Sequence, residues 1–451
     1  MASYTLYVYD TPLAGFEFSC EQRVENPAGG DDLLSRLRER KQTPHRTVNL
    51  LWVEPGTSHL LPLELLDLTQ DPPLDRFDGL ERRLARWLAG RLPPSNRQFI
   101  RNVLDACGLR GDDPGELADF CMMLSLSDSY RVVNDDCPFV PFAQCNLFDN
   151  RFDEVLTLAA YTGITNSGKR RWAGSAGGLR STPELTTGGM LPKAWRWIRD
   201  GIVLYKGGTT GYANAGLEPY SEFYAAQAAA RMGLDAVSYG LERWHGILAS
   251  TCRLFTSRDI SFVPAYALME AFGEPGENSL ERCAAAYDRF GMLERFGDML
   301  LFDAVVCNED RHYANFGVMR DNRTGTIIGP APIFDNGASL FPHAMKDDLK
   351  DINRYAATRR PAYPGFTFDD IAELTMDGRR KAMLRRLIGF EFAKHPRYNL
   401  PAYRLKAITA ALHERVGRFL QCRTHVQGVG MKHTQHERSP AVEENYDMPE
   451  R

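Results

Sequence analysis

The stretch Cys307 to Leu340, CNEDRHYANFGVMRDNRTGTIIGPAPIFDNGASL, constrains this chain more than any other, because it places two short acidic motifs on either side of an expected hairpin. Asp310 and Asn315 lie five residues apart, and Asp335 follows in Ile-Phe-Asp-Asn-Gly. The apolar runs Asn315–Met319 and Thr326–Phe334 read as paired strands, which would return Asn315 to the neighbourhood of Asp335 although the two are 20 residues apart. Alone, Asp-Arg-His is a polar turn and Asp-Asn-Gly a hairpin turn. In this order they supply what phosphoryl transfer needs: a carboxylate, Asp310, to orient a hydroxyl, and an amide with a second carboxylate, Asn315 and Asp335, to hold magnesium on triphosphate oxygens.

Such a site needs phosphate-binding groups elsewhere, and two features upstream answer. In Thr186-Thr187-Gly188-Gly189-Met190-Leu191-Pro192-Lys193 the adjacent glycines let backbone N–H groups approach phosphate oxygens, and Thr187, Gly188, Gly189 and Lys193 are the candidate contacts. A competing glycine loop is Ser175-Ala176-Gly177-Gly178. The second feature is Lys206, which ends an apolar strand, with Glu222 sixteen residues later in the first turn of a helix. A lysine on a buried strand needs a partner, and Glu222 can supply it. Gly-rich loop, strand lysine, helix glutamate, sheet, helical region, Asp-x-x-x-x-Asn and Asp-x-Gly follow one another in the order of a two-lobed protein kinase.

The rest of the chain is consistent with that order. Residues 1 to about 60 alternate short apolar and polar segments and read as a β-containing unit; Leu74 onward is helical, with Phe77, Leu80, Leu84, Trp87 and Leu88 on one face. Helices are expected over Asn96–Gly108 and Glu116–Leu124, and strands over Trp195–Ile198 and Ile202–Lys206. A further helix starts near Pro219 and is stopped by Gly233. Val237–Trp244, Gly246–Ala249 and Thr251–Phe255 complete a small sheet; Leu280–Phe290, Arg295–Val306 and 367–422 are mainly helical. The expected fold is α+β, two-lobed and protein-kinase-like, with a small β-rich N-lobe, a helical C-lobe and an additional N-terminal α/β region. Its divisions fall at 1–85, 86–160, 161–258, 259–422 and a polar, disordered tail at 423–451.

A net charge of −4 and a pI near 6.2 give no global case for nucleic acid or an anionic membrane. The nine cysteines are scattered without a Cys-x-x-Cys pair, which fits reduced, intracellular usage. No leader-like N-terminus and no bilayer-length apolar run is seen, so a cytoplasmic protein is expected, with export as an effector left open.

At this point the chain resembles the HipA-like kinases. Their catalytic loop is similar to Asn308-x-Asp310-Arg311-His312-x-x-Asn315-Phe316, their metal motif to Asp335-x-Gly337, and their Gly-rich loop to Thr187-x-Gly189-x-x-Pro192-Lys193. The segments 125–132 and 146–154 also look like the portion that precedes the kinase core in a subgroup of the family. The resemblance implies an atypical serine/threonine kinase using ATP and Mg2+, often the toxin of a toxin–antitoxin pair acting on a translation-related protein, with a separately encoded antitoxin as partner. Carried over, Asp310 is the base, Asn315 and Asp335 the metal ligands, Lys206 the phosphate-contacting lysine and Glu222 its partner. Arg311 and His312 are read as structural, His312 bonding the backbone near the metal motif. The chain departs from ordinary kinases in placing Asn336 where they carry phenylalanine. The resemblance also implies silencing by autophosphorylation within 175–187, where Ser181, Thr182, Thr186 and Thr187 are candidates. A phosphoinositide-type lipid kinase shares the two acidic motifs, but no basic amphipathic helix accompanies them here. A non-catalytic nucleotide-binding adaptor would be expected to have lost one of Asp310, Asn315 and Asp335.

Overall fold

The computed structural model describes residues 2–20, 46–66, 77–165, 182–211, 213–272 and 278–424. The competing glycine loop at 175–178, the candidate acceptor Ser181 and the tail from 425 lie outside the described residues.

Three antiparallel sheets organise the described residues. The first runs β3-β2-β1-β4, from strands Ser3–Val8 (β1), Thr11–Cys20 (β2), Arg46–Val53 (β3) and Tyr130–Asn134 (β4). Its alternating apolar residues, Tyr4, Leu6, Val8, Phe16 and Phe18, are buried against the helix Phe77–Gly90, whose Leu80, Leu84, Trp87 and Leu88 form the inward stripe expected from their spacing. Because β4 pairs with β1 from Tyr4 to Val8, the stretches 1–85 and 86–160 share one sheet and one core. The helices Ile100–Cys107 and Pro114–Cys121 sit at the expected places, the second begun by an Asp113 cap on the Gly115 N–H.

The second sheet runs β5-β6-β8-β7, from Lys193–Ile198 (β5), Gly201–Gly207 (β6), Gly240–Trp244 (β7) and Ile247–Arg253 (β8). Two segments expected around residue 250 are one strand, β8, because Ala249 to Arg253 pair without interruption with Gly207 to Val203 of β6. The helix Glu218–Met232 follows β6; its Tyr224, Ala225, Ala228, Ala229 and Met232 are fully buried, and Gly233 ends it at φ +82.

The third sheet, β9-β10-β11, consists of Ile260–Pro264 (β9), Gly317–Asp321 (β10) and Ile327–Pro330 (β11). The hairpin expected between the acidic motifs is the β10–β11 pair, and β9 flanks it on the other edge. Around it pack the helices Ala265–Phe272, Ser279–Asp288, Leu293–Val306, Phe368–Thr375 and Ala402–Phe419 in the largest apolar core. Among the described residues no helix is long and apolar enough to cross a membrane.

Candidate active site

The catalytic-loop segment begins where the helix Leu293–Val306 stops, with Cys307 in the left-handed region at φ +53. Asn308 shapes the next turn: its side chain donates to the Asp303 carboxylate at 3.2 Å and accepts from the Asp310 N–H at 3.2 Å. Asn315 Nδ2 donates to the Asp310 carbonyl at 2.9 Å, which leaves the Asn315 amide oxygen as the group able to accept a cation.

Arg311 joins this loop to the Asp335 motif. It is 1% exposed and forms a fork on Asp303, with Nε to Oδ2 at 2.9 Å and Nη2 to Oδ1 at 3.0 Å. Its Nη1 donates to the Asn315 carbonyl at 2.9 Å and also to the Phe334 carbonyl, while Nη2 donates to Asn336 Oδ1 at 2.6 Å. One guanidinium therefore brings together the residues that flank Asp335 and the backbone of Asn315. Asn336, the departure from the ordinary kinase pattern, uses its side-chain oxygen to accept from Arg311, while its main-chain N–H donates to Glu222 Oε2 at 2.9 Å as any residue there could.

The expectation for His312 is corrected here. Arg311, not His312, bonds the backbone next to the metal motif, because the buried Asp303 carboxylate draws the arginine inward and turns its neighbour out. His312 is 51% exposed, accepts from the Ala314 N–H at 3.3 Å and stands 3.9 Å from Asp310.

Asp335 itself adopts φ +53, a left-handed conformation uncommon for a non-glycine residue, and its N–H donates to the Tyr239 hydroxyl at 3.1 Å. Its carboxylate is ion-paired with Lys206, which also reaches Glu222 at 2.8 Å. Lys206 and Lys193 are direct cross-strand partners on β6 and β5. Two like charges opposed on one sheet face destabilise it unless anions stand between them. Burial opposes the charge on Lys206, yet Asp335 and Glu222 outweigh it and hold the lysine well above its usual pKa; burial likewise opposes the Asp335 charge, and Lys206, Lys193 and Arg311 hold that carboxyl well below the usual range. Among the described residues Lys193 makes no direct carboxylate contact, and the Asp335 and Glu222 charges support it only from a distance. It donates to the Gly188 carbonyl at 2.8 Å, and burial with the Lys206 charge brings its pKa down to about 8.

In the Gly-rich segment Gly189 takes φ +85, and a Cβ there would lie 2.1 Å from Lys193 Nζ. The Thr187 hydroxyl donates to the Pro183 carbonyl at 2.7 Å and accepts from the Trp195 indole at 3.1 Å, so it faces its own loop. Thr186 donates to the Leu124 carbonyl at 2.7 Å, and Thr182 is fully buried. Asp310 stands 62% exposed at the mouth of the site. Partial desolvation and the Asp335 charge nevertheless raise its pKa, against His312 and Lys206.

Asp335 and the Asn315 amide offer two hard oxygen donors, and among the described residues no group of three or more His, Cys, Asp and Glu forms an all-protein cage. That donor set fits magnesium, which leans on one or two protein oxygens plus phosphate and water. A cavity of about 470 Å³ lined by Val203, Tyr205, Thr251 and Arg253 contains none of these residues, although Cys252 on its wall lies within reach of the Glu222, Lys206 and Asp335 charges. Sequence reasoning missed Asp303, Tyr239 and the role of Arg311 as a junction. A signal existed for Asp303, a lone carboxylate in the apolar run LLFDAVV.

No protein-family profile matches the chain. Over 142 residues it is 28% identical to the serine/threonine-protein kinase CtkA of Helicobacter pylori, a match over 29% of this chain and 42% of that protein, so less than half of the relative's length is spanned. The crystal structure of the Helicobacter pylori proinflammatory kinase CtkA superposes with a TM-score of 0.41 at 18% identity, covering 52% of this chain and 90% of that one. HipA of Shewanella oneidensis MR-1, in its complex with HipB and operator DNA, superposes with a TM-score of 0.50 at 13% identity over 93% of this chain and 98% of that one. The near-complete overlap shows that the chain has the fold of HipA, and the weak sequence match to CtkA, with the motifs at Asp310–Asn315 and Asp335–Gly337, makes it similar to the HipA-like atypical kinases.

Proposed function

We propose that the protein is a Mg-ATP-dependent serine/threonine protein kinase of HipA-like type. The observation that carries the proposal is the opposed pair Lys193 and Lys206 with Glu222 and Asp335 at one of them only. Two buried ammonium groups beside a glycine turn, of which only Lys206 directly contacts carboxylates among the described residues, suit the oxygens of a triphosphate. Lys206, oriented by Glu222, and Lys193 contact phosphates, with Thr187, Gly188 and Gly189 supplying the turn; Asn315 and Asp335 hold magnesium, which neutralises phosphate charge when bound. Asp310 accepts the proton of a serine or threonine hydroxyl as its oxygen bonds the γ-phosphorus and ADP departs. Its raised pKa and exposed position suit a group that meets an acceptor from solvent.

The relationship to HipA extends the proposal to a toxin acting on a translation-related protein, with a separately encoded antitoxin in the place HipB takes beside HipA. Autophosphorylation within 175–187 belongs to the same reading, and Thr182, Thr186 and Thr187 would have to leave the contacts described above to reach Asp310.

Radiolabelled ATP offered with protein and lipid acceptors tests the assignment. Wild type labels protein at serine or threonine, and Asp310→Ala and Asp335→Ala each leave a folded protein that transfers no phosphate. Label on lipid alone would favour the phosphoinositide-type reading, and full transfer by either variant would refute the site.

A further inference from the structure

Arg97 belongs to the N-terminal unit, 87 residues before the Gly-rich segment, yet its guanidinium lies inside that segment. It is 2% exposed. Nη1 donates to the carbonyls of Glu184 at 2.6 Å and Thr187 at 3.2 Å; Nη2 donates to Glu184 Oε2 at 2.8 Å and the Lys193 carbonyl at 3.0 Å. The other oxygen of the fully buried Glu184 accepts from the Trp195 N–H at 2.9 Å. Gln98 adds a backbone bond from its N–H to the Met190 carbonyl at 2.9 Å, and its side chain donates to Thr210 Oγ1 at 3.1 Å on the loop after β6. Two consecutive residues thus hold both stems of the turn at 184–193 and the loop beyond Lys206.

A buried ion pair is an inefficient way to join two surfaces, since apolar residues of similar volume usually join them as well. What the guanidinium adds is direction: a planar fork with several donors fixes main-chain oxygens in space. The N-terminal unit is also anchored to the strand that follows the loop at 308–316. Arg320, on β10 directly after the catalytic loop, donates to the carbonyls of His59 and Leu61 and to the Tyr130 hydroxyl, at 2.8, 2.7 and 2.8 Å.

We infer that Arg97 and Glu184 are a positioning pair that presets the phosphate-binding turn, so that affinity for the nucleotide's phosphates depends on the docked N-terminal unit. The inference rests on the kinase reading above. Neither residue touches substrate; each acts through the backbone of Thr187 and Lys193.

The test is titration calorimetry of the full chain with Mg-ATP and, separately, with adenosine. The variants are Arg97→Met/Glu184→Leu, which removes both charges together and frees the Trp195 N–H and the carbonyls that the pair held; Arg97→Lys, which keeps charge without the fork; and Gln98→Ala, a change at a solvent-facing side-chain bond that leaves the fold intact. Loss of preorganisation weakens Mg-ATP binding about tenfold in the double variant and about two- to threefold in Gln98→Ala, while adenosine binding is unchanged, because the turn meets only phosphates. Arg97→Lys falls between wild type and the double variant. Should the double variant fail to fold, the Gln98→Ala ratio of ATP to adenosine affinity decides. Unchanged Mg-ATP affinity in the folded variants, or equal losses for ATP and adenosine, overturns the inference. A wild-type chain that binds no Mg-ATP overturns the kinase reading, and this inference with it.

Discussion

Replacing Arg311 by methionine would separate the catalytic loop from the metal motif without touching a reacting group. At about 3 Å and an effective dielectric of about 20, the Arg311–Asp303 attraction is roughly 5–6 kcal/mol, much of it offset by desolvation. Removing one member of a buried pair costs about 3–5 kcal/mol. The carbonyls of Asn315 and Phe334 lose a donor as well, so a total loss of about 4–6 kcal/mol is expected. For a unit of this size that is a fall in Tm on the order of 10 °C. Burial already raises the Asp303 carboxyl against the pull of Arg311, so in the variant Asp303 takes up a proton, which limits the loss. Transfer activity should drop about a hundredfold or more, as expected when catalytic groups shift by about 1 Å. The discriminating variant is Arg311→Met/Asp303→Leu, which trades the ion pair for apolar contact and should recover most of the Tm but none of the activity. Calorimetric unfolding and phosphate transfer, measured on the same protein, check it. Full transfer by Arg311→Met, or recovery of activity in the double variant, would show that the junction does not position the site.

Lys193 carries a pH signature: with its folded pKa near 8 and an unfolded value of about 10.4, the unfolded chain binds more protons in between, so stability rises with pH across that window. Mg-ATP affinity moves the opposite way, falling as pH rises through about 8, and Lys193→Met should flatten both profiles in unfolding and binding titrations. Gly189→Ala forces a left-handed conformation on a residue with a Cβ, costing about 1–2 kcal/mol, and displaces Lys193 from the Gly188 carbonyl; steady-state kinetics should show a raised KM for ATP with a smaller change in kcat.

Local pattern carried the parts of this fold that are local. The β10–β11 hairpin, the strand pair around the turn at 199–201 and the alanine-rich helix ended by Gly233 follow from alternation, turn residues and a stop signal. Lys206 and Glu222 were also legible, because a lysine on a buried strand demands a partner and the next helix offers one. What stayed hidden depends on long-range choice. Nothing in YRVVN says that it joins β1, more than 120 residues earlier, and nothing in ISFVP marks it as the edge beside β10. The break expected near residue 250 failed for the same reason, since pairing with β6 overrides the weak local signal of Ser250. The corrected expectation for His312 shows the limit most clearly: of two adjacent polar residues both read as structural, a buried carboxylate, here Asp303, selects Arg311 for the inner contacts.

The loops that carry this site have no ladder of their own, and the burial of three arginines explains how they are held. Segments 184–193, 308–316 and 334–337 expose main-chain groups that neither helix nor sheet can satisfy, and buried carbonyls must find donors. Arg97 supplies the first; Arg311 supplies the second and third at once; Arg320 fastens the strand that follows. A lysine could not substitute, because a compact ammonium lacks the planar fork that bonds several fixed acceptors together. The arrangement gives the catalytic loop two unlike sides. Its underside is fixed through Arg311, at 1% exposure, while Asp310 and His312 face solvent at 62% and 51%. On the kinase reading, a reacting hydroxyl would have to be brought from outside to a carboxylate whose loop is held through Arg311, so the specificity of such a site would lie in the surface that delivers the acceptor and not in a pocket that encloses it.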